Sequence, residues 1–283
     1  MKNKNLITIF TRKRKIFLSI LFCISFLNSH SQYTPNQEFG VLGGTAYYLG
    51  DMNNTHFKNL RIAGGITYRK NFDRRFSFKS SALYTNIYAD DANSSDPIKV
   101  NRNLSFKSDI IDLSGQIEFN FLAYETGNPL YSWSPFVFIG ASIYTHNPKA
   151  EASNGEWYSL QELGTEGQGT TSFPNRKKYP LTQISMPFGG GIKIGLSENF
   201  NIIFEYGLRK TFTDYLDDVS MTYAGLPSEF NNITIELADR SLDGPQPAGE
   251  DRSLPGNTNK DWYSFSGITL SFKIQGNTKG CEY

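Results

Sequence analysis

The stretch DIIDLSGQIEFNF, residues 109–121, divides into two columns by parity. Ile111, Leu113, Ile117, Phe119 and Phe121 share one parity with Gly115, while Asp112, Ser114, Gln116, Glu118 and Asn120 share the other. Successive side chains of a β-strand point to opposite faces, so this reads as a strand with one apolar and one strongly polar face. Seven more stretches are read the same way: 38–50, 61–72, 75–88, 134–146, 183–197, 200–212 and 267–274. The first is rich in glycine, and 134–146 alternates less cleanly. A soluble sandwich or barrel would turn the apolar faces inward. A transmembrane barrel turns them to lipid and points the polar faces into its lumen.

The links decide between the two. Short connections at 73–74, 122–133 and 197–199 alternate with long ones at 51–60, 90–108, 147–182 and 213–261. Transmembrane barrels have this pattern, with short periplasmic turns and long extracellular loops, whereas a soluble fold has no need of it. The expectation is an all-β chain: an eight-stranded antiparallel transmembrane β-barrel with long extracellular loops and periplasmic termini. Its lumen is narrow enough for side chains to fill. Arg69, Lys79, Asp112, Glu118, Lys193, Glu205, Arg209 and Lys273 fall on lumen positions, and the two signs can satisfy one another. Tyr47, Tyr48, Phe72, Tyr88, Trp133, Phe200, Tyr215, Trp262 and Tyr263 lie near strand ends, where interfacial girdles are expected. In the long link 213–261, residues 228–240 are expected to hold a short helix capped by Ser228.

The N-terminus fits export. Six basic residues precede the apolar run Ile16–Leu27, which is shorter than the roughly 20 residues a membrane-spanning helix needs. Residues 1–31 are read as a secretory signal peptide cleaved before Gln32, leaving 32–283 as the outer-membrane barrel domain. Cys23 belongs to the apolar run, so Cys281 is the only cysteine of the mature chain and no intrachain disulfide is expected. Losing the six basic residues leaves 22 Lys and Arg against 27 acidic residues, a net charge of −5, which does not favour nucleic acid.

Sites of chemistry are sparse. No phosphate loop, zinc-protease or nucleophile-elbow motif occurs, and no catalytic residue, metal site or cofactor is expected. An outer-membrane acyltransferase or deacylase would need a paired His and Ser. His56 and His146 fall near extracellular strand ends, but no partner motif accompanies them. The string TDYLDDVSMTY, 213–223, brings Asp214, Asp217 and Asp218 together. Three carboxylates could hold Ca²⁺, but the full ligand spacing is missing. The plainer readings are a solvated acidic turn or pairing with Arg209 and Lys210.

Five stretches taken together carry a resemblance: GGTAYYLGDMN (43–53), RNLSFKSDIIDLSGQIEFNF (102–121), LGTEGQG (163–169), PFGGGIKIGLSENF (187–200) and RKTFTDYLDDVS (209–220). In this order they resemble the PorG-like outer-membrane β-barrel proteins of the type IX secretion system, over about residues 36–275. Residues 221–261 and those after Lys273 depart most. The resemblance implies a non-enzymatic component of a protein secretion machine, used in some bacteria for gliding motility. It tethers a periplasmic ring of proteins resembling PorK and PorN to the outer membrane. Gly50, Asp51, Thr165–Gly169, Asp214, Asp217 and Asp218 are motif positions without an assigned role. Ring contact would come from the periplasmic face, where 122–133 is the longest turn; Tyr124, Tyr131 and Trp133 are its expected anchors. The alternative is a stand-alone barrel that binds a ligand or anchors the envelope.

Overall fold

The computed structural model describes residues 35–253 and 260–274. The expected signal segment, Gln32 and Cys281 lie outside them. Eleven strands run in chain order: β1 (Asn36–Ala46), β2 (Tyr48–Leu49), β3 (Arg61–Asn71), β4 (Phe76–Asp90), β5 (Ser105–Asn120), β6 (Trp133–Thr145), β7 (Pro148–Glu151), β8 (Trp157–Ser159), β9 (Thr182–Gly195), β10 (Phe200–Thr211) and β11 (Trp262–Ile274). Eight of them form the barrel. Each pairs antiparallel with its neighbours in the order β1, β3, β4, β5, β6, β9, β10, β11, and β11 returns to β1 with Ile268 opposite Gly43. Closure satisfies the barrel's edges, the requirement for a sheet that crosses a membrane. Among the described residues no helix is long and apolar enough to cross one.

The parity read from the sequence holds. Leu113 and Ile139 are 58% and 57% exposed, while Asp112 and Glu118 are fully buried. Exposed apolar side chains ring all eight strands, among them Val41, Ile66, Tyr84, Ile143, Ile192, Phe204 and Leu270. Soluble monomers rarely expose contiguous apolar surface of this extent. The belt is therefore the lipid-facing band of a transmembrane barrel.

The interior changes character along its length. Toward the short turns it is a charged plug. Arg69 bridges Glu38 (3.0 Å) and Glu118 (2.8 Å), Lys193 reaches Glu118 (2.6 Å), and Lys79 pairs with Glu205. Toward the long loops Arg209 faces Asp112 at 3.4 Å. Of the eight expected lumen charges seven are buried, and Lys273 is half-buried at the rim. Phe136 and Phe138 of β6 also point inward, and the glycines of β9 make room for them. A Cβ on Gly191 would lie 2.9 Å from Phe136, and one on Gly189 would lie 2.9 Å from Phe138.

At the long-loop end the lumen is apolar. Ile87, Phe106, Ile110, Tyr144 and Tyr263 form one core with Met52, Leu160, Leu216, Val219 and Leu237 of the loops. Strands β4 and β5 project into this region, and the β7–β8 hairpin extends the sheet there, with Lys149 opposite Lys107. The loops thus make a packed cap. Two expectations are corrected, one on the helix of the last loop and one on part of the aromatic girdle. The helix of the last loop is Asn232–Ala238 and is capped by Asn231, whose Oδ1 accepts from Thr234 N at 2.8 Å; Ser228 does not cap it. Tyr47, Tyr48 and Tyr263 are fully buried instead of lying in a girdle, and Tyr215 is stacked within the cap. Phe72 and Trp133 are exposed on the outside, with Tyr88, Phe200 and Trp262 half-buried.

Candidate functional site

The motif positions lie far apart in sequence and meet in the cap. The first residue of β2 starts the arrangement. Tyr48 of β2 is fully buried, and its hydroxyl lies 2.5 Å from Asp217 Oδ2 and 3.0 Å from Asp261 Oδ1. One hydroxyl carries one proton, so both contacts are hydrogen bonds only if one carboxyl is itself protonated. Burial pushes both acids well above the usual carboxylate range; Asp51 adds to the shift of Asp217, and Asp217 to that of Asp261. The remaining oxygens accept from backbone: Asp217 Oδ1 from Val219 N (3.0 Å) and Asp261 Oδ2 from Leu216 N (2.9 Å).

Gly50 has a steric role here. A Cβ at this position would sit 2.0 Å from Asp261 Oδ1 and 2.1 Å from the Tyr48 hydroxyl. Only glycine lets the backbone pass this close to the bridge. Asp51 follows and is buried.

Two buried arginines complete the site. Arg102, at the end of the helix Pro97–Arg102, grips Asp91 with two bonds (2.7 and 3.0 Å) and donates to the carbonyl of Arg252 (2.8 Å). Arg252 donates to the carbonyls of Ala238 (3.1 Å) and Asp218 (2.6 Å), and lies 3.5 Å from both the Glu166 and Asp218 carboxylates. Asp218 also accepts from Tyr179 (2.6 Å) and from the Thr165 hydroxyl, and adopts a left-handed backbone with φ +69°. Glu166 Oε1 accepts from the backbone of Ser220 and Met221, both at 3.0 Å. The LGTEGQG string is therefore bound to the TDYLDDVS string. Burial raises the Asp218 and Glu166 carboxyls in spite of Arg252.

This corrects the solvated acidic turn. Asp217 and Asp218 are fully buried. The three aspartates also diverge: Asp217 faces Tyr48, Asp218 faces Arg252, and Asp214 faces Lys260 (3.6 Å) and Ser220 Oγ (3.1 Å). Arg209 pairs with Asp112, so the expected pairing of the turn with Arg209 and Lys210 is not made. Among the described residues no three His, Cys, Asp or Glu side chains are grouped to hold a metal ion.

The histidines are equally specific. His146 is buried, and its ring stacks on Tyr179 (6.1 Å, 12°), which stacks on Tyr215 (4.6 Å, 11°). Burial pushes its pKa down to about 4, so it is neutral. His56 hydrogen-bonds Tyr47 through Nδ1 at 2.7 Å. Among the described residues neither histidine is hydrogen-bonded to a serine.

The opposite end of the barrel holds the expected partner contacts. The chain from 121 to 132 folds across the opening. Thr126 Oγ1 donates to Glu38 (2.8 Å) inside the barrel, and Arg74 pairs with Glu125 (2.8 Å) and covers the Tyr131 ring at 4.3 Å. Tyr124 is turned inward and only 2% exposed, so it offers nothing to a partner, which corrects that expectation. Tyr131 is half-buried and Trp133 exposed. Leu130, which a search for aromatic anchors passes over, is 86% exposed on a short 3₁₀ turn whose start is capped by Asn128. Sequence reasoning also missed Arg102, Arg252, Asp91, Tyr48 and Asp261 as site residues. A lone arginine in a polar loop carries no local signal of burial.

Ail, the attachment invasion locus protein of Yersinia pestis, is similar over 86% of this chain and 100% of its own, with 11% identity and a TM-score of 0.42. Neisserial surface protein A gives 7% identity and a TM-score of 0.40 over 86% of this chain and 100% of its own. The outer membrane protein OprG of Pseudomonas aeruginosa gives 9% and 0.38 over 87% of this chain and 99% of its own. No curated protein matches in sequence. The lipid-facing belt and closed eight-strand topology make this the fold of an outer-membrane β-barrel, and the chain belongs to the family described as Domain of unknown function (DUF6089), which it matches over residues 14–234.

Proposed function

We propose that the protein is a non-enzymatic outer-membrane component of the type IX secretion machinery, and in some bacteria of gliding, that tethers a periplasmic ring resembling PorK and PorN. The observation that carries this reading is the closed barrel. A lumen filled by paired charges and an end crossed by residues 121–132 leave the molecule to act by contact rather than by passage. Three of the strings that resemble PorG-like proteins, 43–53, 163–169 and 209–220, also meet in one cap, where Gly50, Thr165, Glu166, Asp217 and Asp218 hold the loops together. Their role on this reading is to fix the cap, not to catalyse. The cap is extracellular and the short turns are periplasmic. The ring then meets Leu130, Tyr131 and Trp133.

The test is affinity capture of the tagged barrel from membranes. Wild type should bring down the ring proteins, and Leu130→Glu should insert normally yet lose them and lower cargo export. Capture without any ring component from wild type would overturn the reading.

A further inference from the structure

On the cap side of the lipid-facing belt the outer wall carries a polar patch. Strand register sets Tyr206 of β10 opposite Ser266 of β11, and Ser266 opposite Thr45 of β1. All three are on the outward parity. Thr45 Oγ1 lies 3.1 Å from Ser266 Oγ, and the Tyr206 hydroxyl lies 2.7 Å from that of Tyr47. Residues His56 and Phe57 fold back over this wall. His56 Nδ1 meets the Tyr47 hydroxyl, and the Phe57 ring packs 5.6 Å from Tyr206 and 5.3 Å from Tyr47. Phe57 holds a left-handed φ of +61°, a costly conformation for a bulky residue. Phe57 (56%) and Ile62 (87%) are exposed beside the patch, so its surroundings are lipid.

Proton counting shows what the patch lacks. Thr45 and Ser266 bring two hydroxyl protons and share one bond, so one proton is left to donate outward. Tyr47 and Tyr206 meet each other at 2.7 Å and both face His56 Nδ1, at 2.7 and 3.4 Å, so their two hydroxyl protons serve these contacts and the imidazole proton is left over. With Nδ1 accepting from Tyr47, that proton sits on His56 Nε2, on an exposed ring. Unmet donors are costly beside hydrocarbon. One row further down the wall, Gly43 pairs with Gly64, and a Cβ on Gly43 would meet nothing within 4 Å. The hydroxyls thus stand directly over an open stretch of wall.

We propose that this patch binds one phosphate-bearing lipid of the cap-side leaflet. His56 Nε2 donates to its phosphate, the Thr45–Ser266 pair donates to an ester oxygen, and an acyl chain lies along Gly43 and Gly64. Lipid is the occupant because the wall around the patch is the lipid-facing belt itself.

Native mass spectrometry of the full chain in detergent tests it, with dioleoyl phosphatidylglycerol as probe and dioleoylglycerol as the phosphate-free match. Wild type should hold the first phosphatidylglycerol more tightly than later ones and discriminate against dioleoylglycerol. Thr45→Val/Ser266→Ala should weaken the first lipid about tenfold, the scale of one lost hydrogen bond to a buried acceptor. His56→Ala should abolish the preference for phosphate. Both variants change outward side chains, and heat-modifiable gel migration checks that each barrel is folded. Equal first-lipid affinity in wild type and the double variant, or equal binding of the two probes by wild type, would overturn the proposal. His56→Ala carries the test alone should the double variant not fold.

Discussion

Glu118 is the hub of the charged plug, and its replacement by Gln gives a sharp prediction. Its carboxylate lies 2.6 Å from Lys193, 2.8 Å from Arg69 and 3.7 Å from Lys79. In the variant Arg69 keeps Glu38 at 3.0 Å and Lys79 keeps Glu205. Lys193 loses its counter-charge and keeps only neutral partners, the amide oxygen introduced at 118, Ser77 Oγ at 3.2 Å and the ring faces of Phe136 and Tyr124. It is fully buried, so the variant strands a cation away from water. Removing one partner of a buried pair costs about 3–5 kcal/mol, a factor of roughly 10²–10⁴ in the folded-to-unfolded ratio. Adding Lys193→Met restores neutrality and should recover at least half of the loss. Urea unfolding of the barrel in vesicles, followed by tryptophan fluorescence and gel migration, measures both. A Glu118→Gln barrel within about 1 kcal/mol of wild type, or a double variant no more stable than the single, would refute the plug argument.

Two further outcomes follow from the cap. Gly50→Ala would force a methyl onto the Tyr48–Asp261 bridge, where 2.0 and 2.1 Å separations leave no space; the cap should become protease-sensitive in 213–253 while the barrel still migrates as folded. His146 is held neutral with its pKa near 4, so the folded state favours the uncharged ring. Its stabilising contribution is complete above the ordinary value near 6.5 and is lost as pH falls toward 4, by up to roughly 3 kcal/mol. His146→Gln should flatten cap protection against acid over that window as read by hydrogen exchange; an unchanged profile would exclude His146 as its source.

The barrel was legible because a strand's parity is local. Ile111 and Asp112 announce their faces from adjacent positions, and the link lengths set the up-and-down order. The cap was not, because its determinants are non-local. Phe106 and Ile110 continue the lumen parity of Asp112 with apolar side chains, since above the membrane the interior packs against loops instead of charges. Asp217 and Asp218 look solvated in the string TDYLDDVS, and partners outside that string bury them, Tyr48 for the first and Thr165, Tyr179 and Arg252 for the second. Glu38 was hidden for another reason. It stands in a glycine-rich strand where alternation is faint, yet it accepts from Arg69, Asn71, Thr126 and Ser271.

That last set of bonds constrains how the molecule assembles. Glu38 belongs to the first strand and Ser271 to the last, 233 positions apart. Lys193 and Glu205, which bring the last partners of Glu118 and Lys79, arrive late in the chain. A nascent sheet that stops before β9 therefore carries Arg69, Lys79, Glu38 and Glu118 with part of their partners missing. Bringing ends so distant together is the slow step of any such topology. Full pairing of the charges inside the wall and seam closure are thus one event, and a chain truncated before its final strands should stall at the membrane surface as an open ribbon with unmatched charges.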